Sequence, residues 1–162
     1  TSRKAVRLSA DLAMLSVAAF EDLVQLGHRK LRLVKLGREG TPEAKRRLKA
    51  FSLDRGVDAQ AICGGELNIT SMKRTLESSL KAGVTAFAFP RPEDFVLASA
   101  YLEIAGVKVP KDVSVVLLLS GPYDIMQVVK PAHFKIRKEA IISLVLGWSL
   151  FTKLSRRFAE EL

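Results

Sequence analysis

The chain has 162 residues, of which 48% are hydrophobic and 27% charged, so it is long and apolar enough for one sizeable globular core. Its one cysteine, Cys63, cannot form an internal disulfide and gives no reason to expect an oxidising compartment. No apolar run is long enough to cross a bilayer, the longest candidate being residues 141–151, and no signal-peptide core follows Thr1. We therefore expect a cytoplasmic protein with no membrane contact, and a chain that opens on Thr rather than Met to be preceded by further sequence.

The formal net charge is +9, a basic balance that can serve nucleic-acid binding. The lysines and arginines, however, are scattered along the whole chain, and no aromatic ladder or zinc-ligand spacing accompanies them. This distribution is more typical of solvated helix faces and strand ends than of a nucleic-acid interface.

Helical and strand patterns alternate along the chain. Apolar residues at helical spacing predict a first helix over residues 12–26, and residues 31–36 read as a strand. Thr41 as N-cap and Pro42 as first helical residue open a second helix that runs to about Arg55. The remaining predicted elements are a strand at 59–63, a helix capped by Thr70 or Ser71 that ends near 82–83, a strand at 84–89, a helix from Pro92 to Gly106, a strand at 113–119, a short strand at 133–137 and a closing helix at about 139–160.

This alternation predicts a three-layer α/β sandwich, in which helices cover both faces of a doubly wound, mostly parallel sheet. Ligands of such sheets bind at the carboxyl ends of the strands. The segments that follow those ends are residues 37–41, 64–68, 90–93 and 119–123.

No group of residues in the sequence predicts catalysis, a cofactor or a metal site. His28 falls in a turn at the amino end of the sheet, and His133 has no second histidine near it in sequence. Cys63 is more typical of a small buried apolar residue than of a nucleophile. The pair Ser120-Gly121 lacks the spacing of a nucleophile elbow, and Gly64-Gly65 is not followed by the Lys of a phosphate loop. We therefore expect a protein that is not an enzyme.

Short segments spread over nearly the whole chain carry a family resemblance. They are the Asp11 region, Leu26-Gly27-His28-Arg29, Arg47-Leu48-Lys49-Ala50-Phe51, Thr85-Ala86, the run Gly106-Val107-Lys108-Val109-Pro110-Lys111-Asp112-Val113-Ser114-Val115-Val116, and Pro131. In this order and spacing they resemble the lactose and galactose repressor (LacI/GalR) family of transcriptional regulators. The resemblance implies that residues 1–162 are the C-terminal lobe of a two-lobed effector-binding domain like the periplasmic sugar-binding proteins. The N-terminal lobe and a DNA-binding head, of the lactose-repressor or the winged-helix kind, would precede Thr1.

The resemblance also implies ligand-binding positions. Arg47 matches a family arginine that reaches the ligand from a helix, the alternative being an arginine on a solvated helix face. Arg91-Pro92 stands where relatives carry Asn-Asp, and Leu119 replaces an acid that accepts ligand hydroxyls, with Ser120 after it. Ligand-binding candidates are thus Arg47, Arg91 and Ser120. Lost acids and a gained guanidinium favour an acidic or phosphorylated effector over a neutral sugar, unless Arg91 points to solvent and the pocket is degenerate.

As partners, the resemblance implies a small-molecule effector, a second copy of the chain, and DNA through the separate head. The homodimer interface would use residues 92–101 and 123–129, the latter an apolar run interrupted only by Asp124 and Gln127, unless that run packs within the domain. Two other functions compete with a regulator: a solute-binding protein of a sugar transport system, and an enzyme on a similar sheet. The sequence identifies neither the effector nor the operator.

Overall fold

The computed structural model describes residues 12–35, 42–118 and 132–133. Helices and strands alternate as predicted, and most bounds differ by one or two residues. Of the short strand predicted at 133–137, residues 134–137 lie outside the described residues. The elements are α1 (Leu12–Gln25), β1 (Lys30–Lys35), α2 (Pro42–Arg55), β2 (Asp58–Cys63), α3 (Ile69–Lys81), β3 (Ala86–Phe89), α4 (Pro92–Ile104), β4 (Ser114–Leu117) and β5 (Ala132–His133). The predicted closing helix and the apolar run at 123–129 lie outside the described residues.

The five strands form one sheet in the order β2-β1-β3-β4-β5, and every neighbouring pair is parallel. After β1, the chain moves to β2 on one side and then crosses to β3 on the other. The sheet therefore has a topological switch point between β1 and β3. This arrangement confirms the predicted doubly wound α/β fold.

Each face of the sheet packs against its own helix layer. In β1, Leu31 and Leu33 point to one face and Val34 to the other, as the two-residue period of a strand requires. Phe20 of α1 and Leu48 of α2 join the first cluster, whereas the second contains buried residues of α3 and α4. Both layers are fully buried at their centres, and β3 between them is accordingly a continuous apolar run, Ala86-Phe87-Ala88-Phe89.

The helix ends follow the sequence signals with one correction. Asn68, not Thr70 or Ser71, is the N-cap of α3, and its side-chain oxygen accepts a hydrogen bond of 2.8 Å from the Ser71 backbone N–H. At the other end, Gly83 takes a φ of +79°, and the Val84 N–H donates to the Ser79 carbonyl. Val84 therefore belongs to the C-terminal turn that closes α3, and β3 begins at Ala86, later than predicted.

His28 links the starts of two strands at the amino edge of the sheet. Its Nδ1 lies 2.9 Å from Thr85 Oγ1 and its Nε2 lies 2.9 Å from Ser114 Oγ. Thr85 directly precedes β3 and Ser114 opens β4, so the imidazole tethers the turn after α1 to both. Burial lowers the pKa of His28, because a partly buried imidazolium loses hydration. This is the structural position that the sequence predicted for His28.

The lowered pKa makes the stability of the fold depend on pH through His28. The unfolded chain takes up a proton at His28 near pH 6.5, before the folded protein does. Protonation therefore favours the unfolded state, and the contribution of His28 is full above that pH and is lost as the pH falls. We expect His28→Gln to lower the free energy of unfolding at about pH 7.5, and to lower it much less at about pH 5.5.

Urea unfolding of the wild type and of His28→Gln at the two pH values measures this difference in the free energy of unfolding. Titration of His133 affects both proteins equally, so it does not contribute to the difference. A difference between wild type and variant that stays constant with pH would contradict the assignment.

Candidate functional site

The candidate site lies at the carboxyl edge of the sheet, around the switch point between β1 and β3. Lys35 ends β1 and Cys63, its partner in the parallel register, ends β2. Across the switch point, β3 ends at Phe89 and is followed by Arg91, the N-cap residue of α4. The first turns of α2 and α4 begin at this same edge, since each helix follows the carboxyl end of a strand.

Arg91 is held by a carboxylate of its own helix. Its Nε donates to Asp94 Oδ2 at 2.8 Å and its Nη2 to Asp94 Oδ1 at 3.0 Å, a two-pronged ion pair. The Asp94 side chain is fully buried and that of Arg91 is 24% exposed. Asp94 also lies in the first turn of α4, where the helix dipole favours a negative charge. Arg91 thus does not simply point to solvent, one of the alternatives left open by the sequence.

Aromatic packing fixes the start of α4 against β3. The rings of Phe89 and Phe95 meet edge to face with centroids 6.3 Å apart, and Phe87 stacks on Phe89 at 6.4 Å. The ion pair between Arg91 and Asp94 is therefore attached to a rigid part of the core.

Arg47 lies in the second turn of α2 and contacts a carboxylate in the first. Its Nε donates to Glu43 Oε1 at 2.6 Å, while Arg46 holds both oxygens of Glu43, at 2.9 and 2.8 Å. These two guanidinium groups lower the pKa of Glu43 to about 2, so the carboxylate is ionised at neutral pH. The Arg47 side chain is 39% exposed, which leaves part of it accessible from solvent.

Two lysines that sequence reasoning missed belong to this edge. Burial raises the pKa of the Cys63 thiol, and the positive charges of Lys45 and Lys35 oppose that rise. Both lysines therefore lie within electrostatic range of Cys63, as does Asp94. Cys63 itself is half-buried rather than fully buried. Their positions in the sequence could have indicated this. Lys35 lies near the end of a predicted strand, and Lys45 lies in the first turn of the helix that follows.

Of the predicted site residues, Arg47 lies on α2 and Arg91 is the N-cap residue of α4, and both helices start at the carboxyl edge. Ser120 and Leu119 lie outside the described residues. The assignment of these residues to ligand binding stays a prediction. Within the described ranges, no group of histidine, cysteine and acidic residues is arranged to hold a metal ion, and no helix could span a membrane.

Comparison with known proteins shows the fold but gives no sequence match. No protein-family model matches the chain, and no curated protein matches it. The transcriptional repressor AscG of Escherichia coli is structurally similar, with a TM-score of 0.64 and 20% identity over 88% of this chain and 54% of AscG. A LacI-family regulatory protein of Corynebacterium glutamicum gives a TM-score of 0.56 and 20% identity, over 74% of this chain and 49% of its own.

A sugar-binding LacI-family regulator of Escherichia coli, solved as a complex with phosphate, gives a TM-score of 0.53 and 22% identity. That match covers 68% of this chain and 42% of the regulator. The chain thus spans about half the length of these structures. The structural similarity to these three proteins confirms the predicted fold, which is that of one lobe of LacI-type regulators.

The ion pair between Arg91 and Asp94 predicts a large stability effect. We expect Arg91→Ala to lower the free energy of unfolding by about 3 kcal/mol or more, because it leaves the fully buried Asp94 carboxylate without its guanidinium. Arg46→Ala is the matched control, since Arg46 also makes a two-pronged pair with an acid three residues away but is 75% exposed. It should have a far smaller effect.

Chemical denaturation of the two variants measures the difference. Equal effects of the two substitutions would show that burial of the Asp94 pair does not govern its strength.

Proposed function

We propose that this chain is the effector-binding and dimerisation lobe of a bacterial transcriptional regulator, which binds DNA through a head outside residues 1–162. The observation that carries the proposal is the fold match, in which 88% of the chain aligns with about half of a transcriptional repressor. Because the similar structures are regulators, they favour this function over a transport protein or an enzyme. The lobe has a binding role and no catalytic one.

The effector site of the proposal is the carboxyl edge of the sheet, with Arg47, Arg91 and Ser120 as ligand-binding residues. Its proposed ligand is an acidic or phosphorylated small molecule. Lys35 and Lys45 support this chemistry, because they add two positive charges near the switch point, where ligands of open α/β sheets bind. The two-pronged contact with Asp94 fixes the plane of Arg91, so its guanidinium loses little freedom when a ligand arrives.

The proposed ligand class predicts selective binding of phosphorylated sugars. In calorimetric titrations of the protein from its complete reading frame, we expect glucose 6-phosphate to bind at least about tenfold more tightly than glucose. Arg47→Ala should weaken the binding of glucose 6-phosphate by a similar factor. Arg46→Ala is the control, since Arg46 is the neighbouring arginine on Glu43 but is more exposed.

A regulator should also change its affinity for DNA from its own promoter region when the ligand is added, because the coupling of two sites is reciprocal. Equal binding of glucose and glucose 6-phosphate would refute the ligand class. Unchanged affinity for promoter DNA on addition of a bound ligand would refute the regulator.

The dimer of the proposal uses α4 together with residues 123–129. In the described part of this surface, Val96 of α4 is 41% exposed, an apolar side chain suited to a contact. We expect Val96→Asp to shift the protein from dimer to monomer in analytical ultracentrifugation. Leu26→Asp is the control, because Leu26 is an exposed leucine after α1, on the other helix layer. A monomeric wild type, or equal dissociation by both substitutions, would contradict this interface.

A further inference from the structure

In the described part of the chain, strand β2 forms one lateral edge of the sheet and has an open row of backbone hydrogen-bonding groups. The N–H groups of Asp58 and Gly64 donate to carbonyls of the β1 side, at 2.8 and 3.1 Å. Because these groups alternate along a strand, Gln60 and Ile62 also face β1, whereas Ala59, Ala61 and Cys63 face outward. Among the described residues, only Ala59 has its outward N–H occupied, by Ser52 Oγ at 3.4 Å. Ala61 and Cys63 thus present backbone donors and acceptors to an open edge.

The side chains of this edge do nothing to block a further strand. Natural proteins protect edge strands with charged side chains, prolines or bulges. After Asp58, however, β2 continues as Ala59-Gln60-Ala61-Ile62-Cys63, which contains no charge and no proline. Its pairing with β1 is regular over all six residues, without a bulge.

A solvent-open groove of about 370 Å³ lies between helix α2 and the open edge. Its lining includes Leu48, Ser52 and Leu53 from the helix, and the small side chains of Ala59 and Ala61 from the strand. Leu53 is 77% exposed, an apolar side chain that contributes nothing to the core. The groove therefore offers an apolar contact beside the unpaired backbone groups.

The groove is positively charged. Lys45 and Lys49 line it one helical turn apart, and in the described part of the chain neither forms an ion pair. The acid in the groove, Asp58, is already neutralised by Arg32 at 2.8 Å. An occupant with negative charge would therefore be favoured.

We propose that the groove between α2 and β2 binds an extended acidic peptide segment of a partner protein, which adds a sixth strand beside β2. Its backbone pairs with the outward groups of Ala61 and Cys63. Its acidic side chains meet Lys45 and Lys49, and an apolar side chain packs on Leu53. The mode is strand addition, in which backbone bonds supply affinity and side-chain pockets supply specificity. The groove shares Lys45 with the effector site, whereas Lys49, Leu53 and Ala61 belong to the groove alone.

Charge and geometry disfavour the two other occupants. A second copy paired through β2 would bring two α2 helices together, and each has five basic residues against two acidic ones. Nucleic acid would meet the lysines but has no extended peptide backbone to pair with the strand edge.

The test is a titration of the isotope-labelled protein with a six-residue peptide of alternating Glu and Val, blocked at both ends, followed by amide NMR spectra. We expect the Ala61 and Cys63 amide signals to shift and their hydrogen exchange to slow. The inward amides of Gln60 and Ile62 are the internal control and should change little. A peptide of alternating Lys and Val should not bind.

Two variants separate charge from backbone pairing. Lys49→Glu should weaken binding at least about tenfold, whereas Arg74→Glu, the same charge change on α3 in the other layer, should leave it unchanged. Ala61→Pro removes only an outward N–H, which an edge strand tolerates, and should abolish binding while the remaining spectrum stays folded. If Ala61→Pro unfolds the protein, two comparisons still test the proposal: Lys49→Glu with Arg74→Glu, and the outward amides with the inward ones.

Absence of peptide-induced shifts at Ala61 and Cys63, or equal shifts at the inward amides, would overturn the proposal. A dimer that Ala61→Pro dissociates would assign the edge to a second copy. Displacement of the peptide by duplex DNA, with DNA binding lost in Lys49→Glu but kept in Ala61→Pro, would assign the groove to nucleic acid.

Discussion

The burial of β1 on both faces is the constraint on which the rest of the structure depends. β1 is paired with β2 on one side and β3 on the other, so its backbone groups are used on both edges. Its side chains must then satisfy two helix layers, and Leu31, Leu33 and Val34 do so with almost no exposed surface. Helix α2 leads from β1 to β2 on one side, and α3 leads from β2 to β3 on the other side of β1. The switch point and the open lateral edge therefore both follow from the central position of β1.

One residue of β1 breaks the apolar pattern. Arg32 is only 7% exposed, yet its guanidinium donates to the carbonyls of Leu31 and Asp58 and to the Asp58 carboxylate. These contacts satisfy a cation that would otherwise be costly to bury. Hydrogen bonding from Arg32 lowers the pKa of Asp58. The contribution of this pair to the stability of the fold is therefore full above the ordinary aspartate pKa and is lost as the pH falls through the lowered value. The first residue of the edge strand is thereby tied to the central strand, which fixes the register of β2.

The sequence predicted the elements well because its punctuation and periodicity act locally. Pro42 and Pro92 begin α2 and α4 in the structure, as their fixed φ angles indicate. The cap of α3 was missed because Asn68, Thr70 and Ser71 are all capable caps, and only the helix geometry decides between them. The site was harder to predict, because the resemblance gave the positions of Arg47 and Arg91 but not their pairing with Glu43 and Asp94. Those acids lie three or four residues away in sequence, where a contact exists only if both side chains adopt the matching rotamers.

The same pairing sets a condition on any ligand of the carboxyl edge. Each candidate arginine already contacts a carboxylate, so a neutral sugar would have to replace a charge-assisted hydrogen bond with a weaker neutral one. An anion gains from the surrounding charge instead. At this edge the described residues include the basic side chains of Lys35, Lys45, Arg46, Arg47 and Arg91 and the acidic ones of Glu43, Glu66, Glu93 and Asp94. A phosphate gains from the net positive charge of this set, whereas a ligand without charge does not. The proposed preference for phosphorylated effectors therefore depends on the same electrostatic attraction that pairs both arginines with carboxylates.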